Sequence, residues 1–388
     1  MTEKMIYLDY NATTPTASEV AEAMMPYLSD FFGNPSSSHW YGQQTKKAIE
    51  NARTQLASLL NCKSEDLIFT SGGTESNNYA LKGYALANQH KGKHIITTAI
   101  EHPAITEVCK YLESLGFEIS YLPVDETGRV AISEIEQAIR KDTILISVMY
   151  ANNEVGTLQP LAEISALARN NEIAFHSDCS QAIGKVPVDI QELGVDMLTV
   201  AGHKFYGPKG IGALFIRKGI VLQKLIHGAD HEQNKRAGTE NVLEIVGLGK
   251  AAELAQENLK AEVETELKLK DRLRSGLSLL KDVKFNGNNE YCLPNTLSAS
   301  FRNLRANDIL SEIKHVAASA GAACHTDSIS VSATLEAMKI PQDFAMGTIR
   351  LSVGRYTTEE EIDIAIKEIS TAVDKLRSLG KQCDRTQG

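Results

Sequence analysis

Five short apolar runs in this chain each end in a cluster of polar residues with chemical capability. Leu67–Thr70 leads into Ser71-Gly72-Gly73-Thr74-Glu75, and His94–Thr98 is followed by Glu101-His102-Pro103. Thr143–Tyr150 leads to Asn152-Asn153-Glu154, Ile173–His176 to Asp178 and Gln181, and Met197–Val200 to Gly202-His203-Lys204. Taken singly, each cluster reads equally well as a capped helix, a turn or a surface lysine. Taken together they have one explanation in common, because ligands of a parallel α/β sheet sit outside the carboxyl ends of its strands. The two glycines before a helix start leave backbone N–H groups free for an anion, and Thr74 adds a hydroxyl. Lys204 is an amine able to react with an aldehyde, Asp178 a carboxylate able to pair with a ring nitrogen, and His102 a ring able to stack.

That inventory describes a site for pyridoxal phosphate. Nucleotide sites fit less well. No G-x-x-x-x-G-K-[ST] or G-x-G-x-x-G is present, and Gly247-Leu248-Gly249-Lys250 precedes a long helix without the rest of a phosphate loop. His227 and His231 have the i,i+4 spacing of a helical metal pair, but the glycine and alanine between them suit a loop equally, and no metal is expected.

The elements that position these residues follow from the hydrophobic pattern. The apolar runs at 67–70, 94–98, 143–150, 173–176, 197–200 and 211–216 are continuous rather than alternating, and helical segments such as Asn77–Asn88 and Ile132–Arg140 separate them. This is the pattern of a mostly parallel sheet covered on both faces. From Leu243 to Lys281 the sequence reads as one long Glu/Lys-rich helix, with an interruption possible, connecting this body to a smaller α+β unit with strands near 295–301 and 349–353. The end, Lys381–Gly388, reads as a polar, frayed tail.

Composition narrows the function class. The 388 residues carry 40 basic and 49 acidic side chains, a formal charge of -9, which speaks against a broad nucleic-acid footprint. No apolar run approaches the ~20 residues of a membrane span. The start MTEKMIYLDY lacks the layout of a signal peptide. The six cysteines, Cys62, Cys109, Cys179, Cys292, Cys324 and Cys383, form no C-x-x-C pair, so a reduced cytoplasmic protein is expected.

Longer motifs carry a resemblance over nearly the whole chain. They are YLDYNATT (7–14), GNPSS (33–37), FTSGGTESNN (69–78), ANNEVGTLQP (151–160), HKFYGPKGIG (203–212), RAGTENV (236–242), GAAC (321–324) and IRLSVGRYTT (349–358). In these the chain resembles the NifS/IscS-like cysteine desulfurases of the class-V aminotransferase family. The resemblance implies a fold type I transferase of α/β class: a large domain at 15–255 with a mixed, mostly parallel sheet, and a small α+β domain from 1–14 and 256–388. It also implies a homodimer, L-cysteine as substrate and a sulfur-acceptor protein such as an iron–sulfur scaffold. By the same resemblance Lys204 forms the Schiff base, Asp178 pairs with the pyridine nitrogen, Gln181 contacts the ring hydroxyl and His102 stacks on the ring. Gly73, Thr74 and His203 hold the phosphate, with Thr239 reaching in from a second subunit. Asn153 and Arg350 grip the substrate carboxylate, and Cys324 accepts the sulfur as a persulfide, with His325 a candidate to lower its pKa.

The chain departs from the family at two places. A serine that binds the phosphate is replaced by Ala201, and a glycine-rich H-G-G-G-Q-E segment reads His227-Gly228-Ala229-Asp230-His231-Glu232. Two other readings stay open at this stage. Selenocysteine lyases share the lysine and cysteine contexts, although the eight-residue spacing from Cys324 to Ser332 favours a desulfurase. A non-catalytic assembly scaffold is the alternative of another class, and it has no chemical need for Lys204, Asp178, His102, Arg350 and Cys324 together.

Overall fold

The computed structural model describes residues 5–325 and 328–386; at 322–325, 328–330 and 380–386 it describes the backbone alone. Fifteen strands occur in chain order: β1 (Ile6–Tyr7), β2 (Leu67–Thr70), β3 (His94–Thr98), β4 (Glu118–Leu122), β5 (Thr143–Ser147), β6 (Ala174–Asp178), β7 (Met197–Ala201), β8 (Gly212–Ile216), β9 (Val283–Asn286), β10 (Thr296–Phe301), β11 (Val316–Ala317), β12 (Ser319–Ala320), β13 (Ala322–His325), β14 (Ser328–Val331) and β15 (Thr348–Ser352). Seven of them form the main sheet in the order β2-β8-β7-β6-β5-β3-β4.

Every residue of β2, β3, β5, β6, β7 and β8 is buried, which is why these runs are mostly apolar or small rather than alternating. The edge strand β4 was not among the runs read from sequence. Its Glu118-Ile119-Ser120-Tyr121-Leu122 is largely solvent-facing and lacks the continuous apolar signal. Strands β3 to β7 pair in parallel, while β8 is antiparallel to both β7 and β2. Two reversals bring β2 back into the direction of β7. The carboxyl ends of β2, β3, β5, β6 and β7, with their five polar clusters, therefore open onto one rim.

A second, antiparallel sheet, β12-β15-β10-β9, has its own apolar core built on Leu297, Phe301, Ile349 and Leu351. The helix Val242–Leu277 belongs to both bodies. Its Ile245, Leu248 and Ala252 pack in the core of the main sheet, and its Leu269, Leu273 and Leu277 in the second core. The helix is uninterrupted, and Gly247 and Gly249 lie inside it rather than ahead of it. Their role is close approach: a Cβ on Gly249 would sit 2.5 Å from the Cα of Ala52, on the neighbouring helix Trp40–Leu60. At the carboxyl terminus the expected polar tail is instead helical, since Glu359–Thr386 forms one helix. Among the described residues no helix is long and apolar enough to cross a membrane.

The N-terminal segment joins the two bodies. Strand β1 pairs with β11, Asp9 bridges to Ser352, and the chain then crosses to the main sheet, where the Thr14 N–H donates to the His203 carbonyl at 2.9 Å. The contact at Gly249 tests this arrangement. Gly249→Ala forces backbone against backbone, and overpacking of this kind costs about 1–3 kcal/mol. A lowered midpoint of thermal unfolding is expected, and an unchanged midpoint would show that the two helices are free to separate.

Candidate active site

The rim encloses a cavity of about 450 Å³ lined by Gly73, Thr74, His102, Asn153, Asp178, Gln181, His203, Lys204 and Arg350, together with Asn11, Asn77, Ser180 and Ala201. Nine of the eleven residues singled out from sequence thus share one space. Thr239 does not: it is exposed on the loop before the long helix, outside this cavity. Cys324 lies on β13, opposite Ile329 of β14, and its side chain and that of His325 fall outside the described residues.

Lys204 ends a single helical turn, Gly202–Lys204, that follows β7. Two residues later Tyr206 has φ +66°, a strained value for an aromatic residue, held by a 2.8 Å bond from its N–H to the Thr14 hydroxyl. Lys204 Nζ donates to the carbonyls of Asn11 (2.8 Å) and Ala12 (2.9 Å). Burial, with the positive charge of Arg350 added, brings its pKa down to about 8. About a tenth of the amine is therefore free at pH 7, far more than for an ordinary lysine.

Asp178, at the end of β6, accepts from Asn77 Nδ2 at 2.6 Å and from the Ser180 N–H at 2.9 Å. Gln181 is buried, and its Nε2 donates to the Asn11 carbonyl at 2.8 Å. His102 caps the helix Pro103–Ser114 by accepting the Ala104 N–H at 3.1 Å, which fixes its ring beside the cavity. His203 pairs through Nδ1 with the Thr13 hydroxyl at 3.1 Å. Burial and the nearby charges of Lys204, Lys209 and Lys185 bring it down to about 4, so the imidazole is neutral at pH 7.

Gly73 opens the helical stretch that continues through the π-helical turn Tyr79–Gly83 to Asn88. A Cβ at Gly73 would come 3.1 Å from Ser180 Oγ and 3.3 Å from the Ala201 methyl, so a side chain there would crowd the cradle. At the far end of the cavity Arg350, on β15, donates to Asp9 Oδ1 (2.7 Å), the Asn153 carbonyl (3.0 Å) and Ser319 Oγ (3.1 Å). Its Nε–H is buried without a partner among the described residues. An orphaned guanidinium donor is costly and marks a place for an anion such as a carboxylate.

The hairpin that carries Cys324 is fastened at both roots to elements that contribute to this cavity. The Gly321 N–H donates to the Thr348 carbonyl, two residues from Arg350, at 2.8 Å. Past its other end, the Thr334 hydroxyl accepts from Asn152 Nδ2 at 3.3 Å, on the loop that carries Asn153.

The altered loop holds no metal pair. His227 and His231 do not share a helix face, and among the described residues no cluster of three ligating side chains exists. His231 instead accepts the Gly238 N–H at 3.2 Å.

These observations set the comparisons with known proteins in context. The aminotransferase class-V family pattern matches residues 6–364. The chain belongs to the class-V aminotransferase family. It is 48% identical over 97% of its length to the cysteine desulfurase IscS of Dictyoglomus turgidum, covering 96% of that protein. The corresponding figures for the cysteine desulfurase IscS of Methanosarcina thermophila are 47%, 97% and 94%. A solved structure of a NifS-like protein superimposes with a TM-score of 0.90 at 38% identity, covering 95% of this chain and 99% of the other. The cofactor of class-V aminotransferases of this kind is pyridoxal phosphate, and the residues present fit it: a depressed lysine, a buried carboxylate and a glycine cradle that a side chain would crowd.

Three residues that line the cavity, and Glu101 next to His102 in the chain, escaped the sequence reading as individuals. Asn77 and Asn11 lay inside quoted motifs, yet nothing in sequence distance linked them to Asp178 or Lys204. Ser180 faces the cradle where Ala201 supplies no hydroxyl. Glu101 is fully buried, accepts at one oxygen from the Thr98 hydroxyl (2.7 Å) and the Met149 N–H (2.9 Å), and is pushed up to about 8 by burial, so it is a neutral acid at pH 7.

The charge of Arg350 yields a test. It disfavours the Lys204 ammonium, so Arg350→Met raises the Lys204 pKa above about 8. In cofactor-free protein the rate of pyridoxal phosphate uptake should rise with pH through about 8 in the wild type, and at higher pH in the variant. Coincident pH profiles would show that the arginine does not set the state of the amine.

Proposed function

We propose that this class-V aminotransferase is a cysteine desulfurase that converts L-cysteine to L-alanine and passes the sulfur through Cys324. The reading is carried by one observation: a depressed lysine and an arginine with an orphaned donor line one cavity, and both roots of the Cys324 hairpin are fastened to the elements that carry Arg350 and Asn153. The relatives at 47–48% identity named cysteine desulfurase support it.

Each residue then has a task. Pyridoxal phosphate, when bound, supplies an electron sink for the substrate carbon that loses its proton. Gly73, Thr74 and neutral His203 hold the phosphate, Asp178 keeps the ring nitrogen protonated, Gln181 contacts the ring hydroxyl and His102 stacks on the ring. Arg350 and Asn153 hold the substrate carboxylate, with the Nε–H as the waiting donor. The free Lys204 amine takes the Cα proton, a role for which a buried lysine of lowered pKa is suited. Cys324 takes the sulfur as its thiolate forms an S–S bond and the substrate Cβ–S bond breaks. The electron pair of the broken bond stays with carbon, which gains a proton and leaves in alanine.

The working form is a homodimer in which exposed Thr239 completes the phosphate site of the second copy. The sulfur passes to an acceptor protein such as an iron–sulfur scaffold, and the setting is the cytoplasm. The main sheet body, 15–255, forms the cofactor-binding domain, and 1–14 with 256–388 the small domain.

Incubation of the pyridoxal phosphate-loaded protein with L-cysteine and a reductant should yield alanine and sulfide in equal amounts. Lys204→Ala should abolish the visible cofactor band and lower turnover by at least about 100-fold, the usual scale for losing a general base. Cys324→Ser should keep the band and lose sulfide release. Undiminished release from Cys324→Ser would sink the persulfide route. L-Selenocysteine run in parallel decides substrate choice, since a large preference for it would replace this assignment with a selenocysteine lyase.

A further inference from the structure

Behind Gln181, on the side away from the cavity, lies a lysine that the chemistry above does not use. Lys185 is only 4% exposed, and its Nζ donates to both Gln181 oxygens, the side-chain Oε1 at 2.9 Å and the backbone carbonyl at 3.2 Å. The turn that brings it there requires Gly184, whose φ is +76° and where a Cβ would come 2.7 Å from the Cβ of Phe205, the neighbour of Lys204. Burial lowers the Lys185 pKa, and the like charge of Lys204 lowers it further. Glu266, itself buried on the long helix, opposes that trend. An apolar side chain would fill the same space without the desolvation cost of an amine. What the amine adds is specific: it has N–H groups to donate and faces acceptors.

We propose that Lys185 is a positioning residue that fixes the Gln181 amide with its oxygen turned away from the cavity and its NH2 group turned toward it. The chemistry at the two ends of the amide agrees. Nε2 meets the Asn11 carbonyl, which can only accept, and Oε1 meets Lys185, which donates. A flipped amide would set oxygen against oxygen at Asn11 and, wherever Lys185 carries its proton, NH2 against N–H donors. The orientation is therefore determined from both sides, and Gln181 offers the cofactor ring a donor rather than an acceptor. This inference rests on the reading of Gln181 as the contact of the ring hydroxyl.

The test is a double-mutant cycle on the pyridoxal phosphate-loaded protein, read as the position of the visible absorption band and the rate of cofactor loss. Gln181→Met should shift the band and speed cofactor loss. Lys185→Met, combined with Glu266→Gln so that no buried carboxylate is left uncompensated, should shift the band in the same sense and speed loss about tenfold, the effect of one hydrogen bond of about 1.4 kcal/mol. In the Gln181→Met background the Lys185 and Glu266 changes should have no further effect on the band. Additive shifts, or a band unmoved by the Lys185 and Glu266 changes while Gln181→Met moves it, would overturn the positioning role. A band unmoved by Gln181→Met itself would instead overturn the ring contact assigned to Gln181. Should the Lys185 and Glu266 variant not fold, Lys185→Gln takes its place in the cycle, with the same outcomes.

Discussion

The carbonyl oxygen of Asn11 is the point on which the site depends. It receives Lys204 Nζ and Gln181 Nε2, both at 2.8 Å, and so sets the distance between the reactive amine and the cavity floor. The rest of Asn11 is equally committed. Its N–H donates to the Ser352 hydroxyl and its Nδ2 to the Thr296 hydroxyl, while its Oδ1 accepts from Asn295. A residue from the N-terminal segment thereby clamps the second sheet, which carries Arg350, against the first, which carries Asp178 and Lys204. Buried polar groups of this kind are costly unless satisfied, so the arrangement has little freedom to drift once formed.

The same economy governs charge. Three cationic side chains, Lys204, Arg350 and Lys185, lie within reach of one another, and each has a carboxylate near it: Asp178, Asp9 and Glu266 respectively. The groups without such partners respond to burial by staying neutral, His203 as imidazole and Glu101 as carboxylic acid. Among the buried polar atoms left without a partner in the described residues, the Nε–H of Arg350 is the unmatched donor on a residue that lines the cavity. A cavity meant for an anionic cofactor benefits from surplus positive potential, and this one has it without leaving the Lys204 amine fully charged.

How much of this was legible in the sequence follows from the kind of signal each feature leaves. Continuous apolar runs announce buried strands, and the residues after them announce the rim, so Asp178, His102 and Lys204 were identifiable before any coordinates. The edge strand β4 leaves no such run because one of its sides is solvated. The direction of β8 was invisible as well, although it decides whether β2 points the same way as its distant neighbours. Helix periodicity reached the long helix, although Gly247-Leu248-Gly249-Lys250 reads as a string ahead of it, because in sequence a glycine needed for helix–helix contact looks like one needed for a turn. Asn11, Asn77 and Lys185 act across 193, 101 and 4 positions respectively, and only the last spacing is local. Even there a lysine in a turn reads as exposed until its burial is seen.

The loop that departs from the family pattern is built into the same frame. Glu232, Gln233 and Asn234 have φ values of +46°, +57° and +61°, and left-handed residues cost roughly 1–2 kcal/mol each. Glu232 offsets that strain. It forms a bidentate pair with buried Arg53, both bonds at 2.8 Å, and accepts the Phe69 N–H at 2.7 Å. Removing one partner of such a buried pair typically costs about 3–5 kcal/mol, the same order as the strain it holds. A second tether joins Arg236 to Glu75 at 2.9 Å. Phe69 belongs to β2 and Glu75 to the helix that begins at Gly73, so both anchors flank the phosphate cradle. The loop can therefore carry Ala229 and Asp230 in place of glycines while the segment after them stays held, because the positions that fix it are Glu232 and Arg236. The chemistry of Gln233, Asn234 and Lys235 between those anchors is free to differ without displacing Thr239, three residues beyond the second.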